Sequence, residues 1–312
     1  SVARNEVDSA YRGIGARVWV IDVGRSYQNL IRLQKGTFLE FTPSTRLCIN
    51  PFSWVGTDDE LDFKAEMRML KPMIGRMASP NAPLTEFQYA LIGEAITAVW
   101  NDYGQETNPT RIRDYLLDKI KNESGGTERV AYELAKQLLP FTREGVYGDF
   151  FNGRANISLD DDMVGLELEE LKNAPELRRV VLFVLTSRIA HDMYLTRDRK
   201  KLCLVDEAWQ LLGADKETAE FIEEGYRRAR KYNGIFCVGT QGSEDAYKND
   251  AAQAAYNNAD WKILLRQDRK NLEKLIEDGM VTFSPAVKRM LLSLRTERGR
   301  FSEMLVSSPN GE

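Results

Sequence analysis

Asp206 and Glu207 follow the apolar run Leu202-Cys203-Leu204-Val205 and precede Ala208-Trp209. An acidic pair at the carboxyl end of a short apolar strand is how nucleotide hydrolases present two groups. One is an aspartate that holds Mg²⁺, usually through water, and the other is a glutamate that orients and deprotonates the attacking water. Two further apolar runs end in polar residues: Val18-Trp19-Val20-Ile21 in Asp22, and Ile235-Phe236-Cys237-Val238-Gly239 in Thr240-Gln241. The Gln241 amide can read a γ-phosphate by hydrogen bonding. If the three runs are neighbouring strands of a parallel sheet, their carboxyl ends face one crevice, where ligands of open α/β sheets collect. An apolar run ending in Asp-Glu also arises by chance in parallel-sheet proteins. Ala208-Trp209 and the strand that ends in glutamine favour the nucleotide reading.

That chemistry needs a loop whose backbone amides and lysine cradle phosphates, G-x-x-x-x-G-K-[ST] opening a helix. The chain has no Gly-Lys dipeptide. Such a loop leads into a short helix and then a buried strand, and residues 1–23 present that order: a helix stopping at Gly13 or Gly15, then Val-Trp-Val-Ile-Asp. The loop is therefore expected ahead of residue 1, with Ser1 as its terminal hydroxyl and a Mg²⁺ ligand.

The elements that must position these groups alternate between strand and helix, which favours a mostly parallel sheet with right-handed crossovers. After the first strand come a short helix (Ser26 to Leu33), the strand Thr-Phe-Leu-Glu-Phe and Arg-Leu-Cys-Ile-Asn-Pro-Phe, closing at Pro51. From Asp58 to Phe141 apolar residues recur at helical spacing (Leu84, Phe87, Leu91, Ala95, Ile96, Val99; Ile112, Tyr115, Leu116, Ile120; Val130, Leu134, Leu138) with no strand signal. These imply three parts: residues 1–55 as the first part of an α/β domain, 56–145 as a helical insertion and 146–312 as the second part. Asn-Ile-Ser-Leu and Met-Val-Gly-Leu-Glu-Leu read as a hairpin or adjacent short strands around Asp160-Asp161-Asp162, a solvated turn rather than a metal site. A long helix from Pro175, the basic turn before Lys201, a helix through Arg228 and the strands Asp-Trp-Lys-Ile-Leu-Leu-Arg and Arg-Phe-Ser-Glu-Met-Leu-Val complete the chain.

Composition sets outer limits. The 312 residues are 43% hydrophobic and 29% charged, as in ordinary globular proteins, and the net charge of -4 gives no indication of DNA contact. No apolar run approaches the roughly 20 residues needed to cross a bilayer, so membrane association has to come through partners. Cys48, Cys203 and Cys237 are too scattered for a disulfide framework and read as buried thiols in a reducing cytoplasm. His191 sits on a helical pattern without metal-ligand spacing.

Six stretches in order, GARVWVIDVGRSYQNL, RLCINPF, GVYGDFFNG, VGLELEEL, KLCLVDEAWQLLG and FIEEGYRRARKYNGIFCVGTQ, resemble the C-terminal ATPase domain of the TraC-type conjugative-transfer ATPases, the large ATPase of type IV secretion systems. The resemblance runs from Ser1 to about Ser307. It implies a RecA-like P-loop fold with an inserted helical subdomain, ATP and Mg²⁺ as cofactors, and homo-hexamers on the cytoplasmic side of the inner membrane. There, with other inner-membrane and ATPase components, ATP hydrolysis powers pilus biogenesis and substrate transfer. It also assigns roles: Asp206 to Mg²⁺, Glu207 to catalysis and Gln241 to γ-phosphate sensing. Arg227, Arg228 and Arg230 become candidate arginine fingers for a neighbouring subunit's nucleotide, and Arg266 a weaker one. The family's N-terminal domain and phosphate loop are missing from these residues, so the parent is expected to hydrolyse ATP and this piece alone is not. Two alternatives remain: a HerA/FtsK-like DNA-translocating ATPase, and a non-catalytic scaffold with a degenerate motor fold.

Overall fold

The computed structural model describes residues 2–42, 45–56, 60–122, 126–207, 216–240, 242, 245, 250–277, 284–297 and 299–308. Its strands are β1 (Arg17–Asp22), β2 (Thr37–Glu40), β3 (Met163–Glu167), β4 (Lys201–Val205), β5 (Gly234–Val238), β6 (Lys262–Leu265), β7 (Thr296–Glu297), β8 (Phe301–Ser302) and β9 (Met304–Ser307). The chain divides into two compact units, residues 1–22 with 192–312, and residues 23–191.

In the first unit β4 lies between β1 and β5 and runs parallel to both, with Ile21 opposite Val205 and Val205 opposite Val238. Continuous apolar sequence is what a parallel strand covered on both faces requires. Accordingly Val18, Trp19, Val20 and Cys203 are wholly buried. Val2–Asp8 and a π-helical turn, Ser9–Gly13, lead to Gly15, whose φ of +64° lets the chain turn into β1. At the opposite end of the β1–β4 pair, Lys201 is buried, and its ammonium donates to the carbonyls of Met193 (3.0 Å) and Thr196. These carbonyls close the helix that ends at Leu195, so the cation meets the negative end of the helix dipole. Burial lowers the Lys201 pKa, and Asp198 opposes that shift.

The chain's last strands depart from the expected parallel pattern. β9 pairs antiparallel with β6, and β7 and β8 form a small antiparallel hairpin around Gly299 at φ +82°. The ribbon's Leu264 and Leu305 pack on Leu272, Val287 and Leu291, contributed by the helices Arg269–Glu277 and Pro285–Ser293. Ser284 caps the second helix by accepting from the Val287 amide.

In residues 23–191, β2 pairs parallel with β3, Glu40 lying opposite Glu167. The expected hairpin is therefore corrected: Asn156–Leu159 forms no strand. Its polar groups are used elsewhere. The Asn156 side chain accepts from the Cys48 amide and donates to the Arg46 carbonyl, and its own amide donates to the Cys48 carbonyl. Asp160, Asp161 and Asp162 are exposed, and Asp161 accepts from the Thr37 hydroxyl.

The helices Glu60–Ala78, Glu86–Tyr103, Pro109–Asn122 and Gly126–Leu138 follow, with no strand among the described residues of that stretch. Thr85 and Gln88 form a reciprocal capping box at the second of them. Leu91, Ala95, Ile96, Val99, Ile112, Leu116, Leu134 and Leu138 are buried as their spacing predicts, whereas Phe87, in the first turn, is half exposed.

The turn after β1 is also fixed within this unit. The buried Glu167 carboxylate accepts from the amides of Gly24 (3.1 Å), Arg25 and Glu169 (2.7 Å), while the Arg25 guanidinium bonds to Glu40 and Glu170.

Candidate active site

The carboxyl ends of β1, β4 and β5 bring Asp22, Asp206, Glu207 and Gly239 together. The Asp206 amide donates to the Ile21 carbonyl (2.9 Å) and the Gly239 amide to the Val205 carbonyl (2.9 Å), so both ladders extend one step past their strands. Asp22 is buried at the end of β1, whereas Asp206 and Glu207 are half exposed.

Two backbone features shape this edge. Glu207 has φ +53°, a left-handed conformation that costs a non-glycine residue on the order of 1 kcal/mol. Its amide donates to Asp206 Oδ1 at 3.0 Å, which fixes that carboxylate's orientation. At Gly239, a Cβ would stand 2.5 Å from Asp206 Oδ1, so a larger residue there would have to displace the carboxylate. Sequence reasoning read Gly239 merely as part of a strand. The available signal was a glycine between an apolar run and Thr-Gln.

Beyond β5 the chain turns on itself. Thr240 Oγ1 donates to the Gly242 carbonyl (3.1 Å), and the Gly242 amide donates to the buried Asp245 carboxylate (3.2 Å). Cys237, on β5, is pushed up to about 11, first by burial and then by the charges of Asp206 and Glu6. Burial also raises the Cys203 thiol, and Cys237 adds to it. Both sulfurs are thiols at neutral pH. Ser1 and Gln241, as well as Ala208-Trp209, lie outside the described residues.

The arginines stand elsewhere. Gly234 begins β5 opposite Lys201, so the segment carrying Arg227, Arg228 and Arg230 sits at the amino ends of the strands whose carboxyl ends carry the acids. A strand of 5 residues separates the two ends by about 15 Å. Arg227 pairs with Glu223 at 2.9 Å. Arg228 pairs with Glu224 at 3.2 Å and lies over the Tyr194 ring at 4.6 Å. Arg230 is 91% exposed and reaches Asp260 only at 3.9 Å. Arg266 is exposed just after β6. Within one chain, then, the structure groups the acids and leaves Arg227, Arg228 and Arg230 apart from them.

Residues 1–308 match the model of the TraG P-loop domain. The chain belongs to this family. It is 33% identical over 308 residues to protein TraC of Escherichia coli K12, covering 93% of this chain and 34% of that protein. It is 24% identical over 263 residues to the type IV secretion system protein CagE of Helicobacter pylori, covering 79% of this chain and 26% of CagE. The domain thus spans about a third or less of the length of these relatives.

Among solved structures, VirB4 of Thermoanaerobacter pseudethanolicus superposes with a TM-score of 0.72 at 22% identity, over 93% of this chain and 80% of that one. The plasmid coupling protein TrwB in complex with ADP and Mg²⁺ gives 0.59 at 13%, over 97% and 73%. The fold is the RecA-like α/β fold of P-loop ATPases. Among the described residues no helix is long and apolar enough to cross a membrane.

Proposed function

We propose that this TraG P-loop domain is the ATP-hydrolysing motor part of a type IV secretion ATPase, powering pilus biogenesis and substrate transfer. The observation that carries this reading is the carboxyl edge itself, where Asp206, oriented by the Glu207 amide, fits against Gly239. A half-exposed hard oxygen donor there suits Mg²⁺, which takes one or two carboxylates and keeps several waters. The ion, when bound with ATP, supplies charge compensation on the phosphates. Asp206 would hold it, and Ser1 would add a hydroxyl. Glu207, whose backbone is left-handed, orients the attacking water and takes its proton. Gln241 bonds the γ-phosphate.

The arginines complete the site in trans. Being at the opposite strand ends, Arg227, Arg228 and Arg230 serve a neighbouring copy's nucleotide, which is consistent with a homo-hexamer. Arg230, the most exposed and least paired of the three, is the finger we favour; Arg266 is the weaker alternative. The organisation into residues 1–55, 56–145 and 146–312, attachment to the cytoplasmic face of the inner membrane and contact with other secretion components belong to the same proposal. The decisive measurement is ATP turnover by the full-length parent and its Glu207→Gln form. A loss of about 10²–10⁴-fold is expected, and equal rates overturn the mechanism.

A further inference from the structure

We infer that four stacked side chains, Arg197, Tyr232, Tyr194 and Arg228, clamp the turn Ala229–Tyr232 and so aim Arg230 out of its own chain towards a neighbouring copy's nucleotide. The inference rests on the reading of Arg230 as a finger acting in trans, and it adds the residues that position it.

The stack alternates cation and ring. Arg197 lies over the Tyr232 ring at 4.9 Å, the Tyr232 and Tyr194 rings meet at 5.2 Å between centroids, and Arg228 lies over the Tyr194 ring at 4.6 Å. A guanidinium within about 6 Å of a ring centroid is drawn to the negative face of the ring. Tyr194 belongs to the last turn of the helix Pro175–Leu195, and Arg197 follows that helix. Arg228 and Tyr232 stand just before and at the end of the 3₁₀ turn Ala229–Tyr232. The stack therefore joins segments distant in sequence and grips the turn at both ends.

The backbone is tied down at the same place. Asn233, left-handed at φ +57°, donates from its side chain to the Arg197 carbonyl, and its own carbonyl accepts from the Lys201 amide at 3.0 Å. Ala229, inside the turn, is buried. Arg228 has a second hold, since its guanidinium donates to Glu224 at 3.2 Å.

Arg230 stands outside this clamp, 91% exposed and 3.9 Å from Asp260. A group that must meet another chain's phosphates works only from a fixed base, because a misplacement of about 1 Å can cost about 10²-fold in rate. Arg228 has the opposite surroundings, with a ring beneath its guanidinium and a carboxylate beside it. It holds the turn and does not reach. Arg228, Tyr194, Tyr232 and Arg197 are thus positioning residues for Arg230.

ATP turnover by the full-length parent tests this. Tyr194→Leu keeps apolar bulk and removes the ring; it lowers kcat and kcat/KM together, by about 10-fold to 100-fold, with KM unchanged. Tyr194→Phe, which keeps the ring, retains the wild-type rate. An unchanged kcat in Tyr194→Leu overturns the inference. Mixed assemblies separate the clamp from the finger beneath it. Glu207→Gln subunits keep an intact turn, so mixing them with Tyr194→Leu subunits, whose acids are intact, raises turnover above the sum of the two alone. No gain in that mixture, beside a gain when Glu207→Gln is mixed with Arg230→Ala, overturns the inference and leaves the finger standing. No gain with Arg230→Ala overturns the finger reading and the inference with it.

Discussion

β4 and β5 are neighbours of the same length and nearly the same character, Lys-Leu-Cys-Leu-Val beside Gly-Ile-Phe-Cys-Val, yet one is buried throughout and the other is half open. The difference lies in what flanks them. β4 has a parallel partner on each side, whereas β5 has one among the described residues. Burial along a parallel strand is thus set by its neighbours more than by its own residues. The acids Asp206 and Glu207 emerge from the better-enclosed strand, where the ladders on both sides hold the backbone up to the point at which it turns.

Substitutions can probe this contrast. In the full-length parent, Leu204→Ala on β4 is expected to cost about 2–5 kcal/mol in chemical denaturation. Ile235→Ala then reads the state of β5: at a residue 47% exposed the expected cost is under about 1 kcal/mol, and a cost approaching that of Leu204 would mark a covered edge.

Gly239→Ala crosses from one strand to the other, because its methyl would displace the Asp206 carboxylate. Overpacking of this kind costs about 1–3 kcal/mol. A further expected outcome is a raised Mg²⁺ requirement for turnover in a metal titration; an unchanged requirement would separate the stability effect from the site.

The smallest effect concerns pH. The Cys237 thiol is raised from 9.0 to about 11, so the folded state holds its proton more tightly than the unfolded chain. The resulting stability is complete below about pH 9 and is lost as pH rises towards 11. Denaturation midpoints from pH 8 to 11 should fall more steeply for the wild type than for Cys237→Ala, and parallel curves would remove Cys237 from the account.

How much of this was legible in the sequence depends on the range of the forces involved. β1, β4 and the helices of residues 60–138 could be read because continuous apolar runs and helical spacing are local patterns. Asp206 and Glu207 could be read because the acids sit directly at a strand end. The partner of β3 could not. Its pairing with β2 joins distant segments, and nearby Asn156 bonds to residues 46–48 instead of building the expected hairpin. The antiparallel return of β9 on β6 was hidden for the same reason. Gly239 needed a distance to Asp206 that spacing does not supply. The resemblance assigned the arginine-rich segment to a neighbouring subunit's nucleotide, and only the register of Gly234 with Lys201 puts it at the other end of the strands.

Gly239 also has a mechanical meaning. Where it passes Asp206 there is no side chain to bend, rotate or compress, and each strand end is hydrogen-bonded to the next. The junction is a backbone coupling: a pull on the loop after β5 reaches Val205, the residue before Asp206, through the hydrogen bond that the Gly239 amide donates.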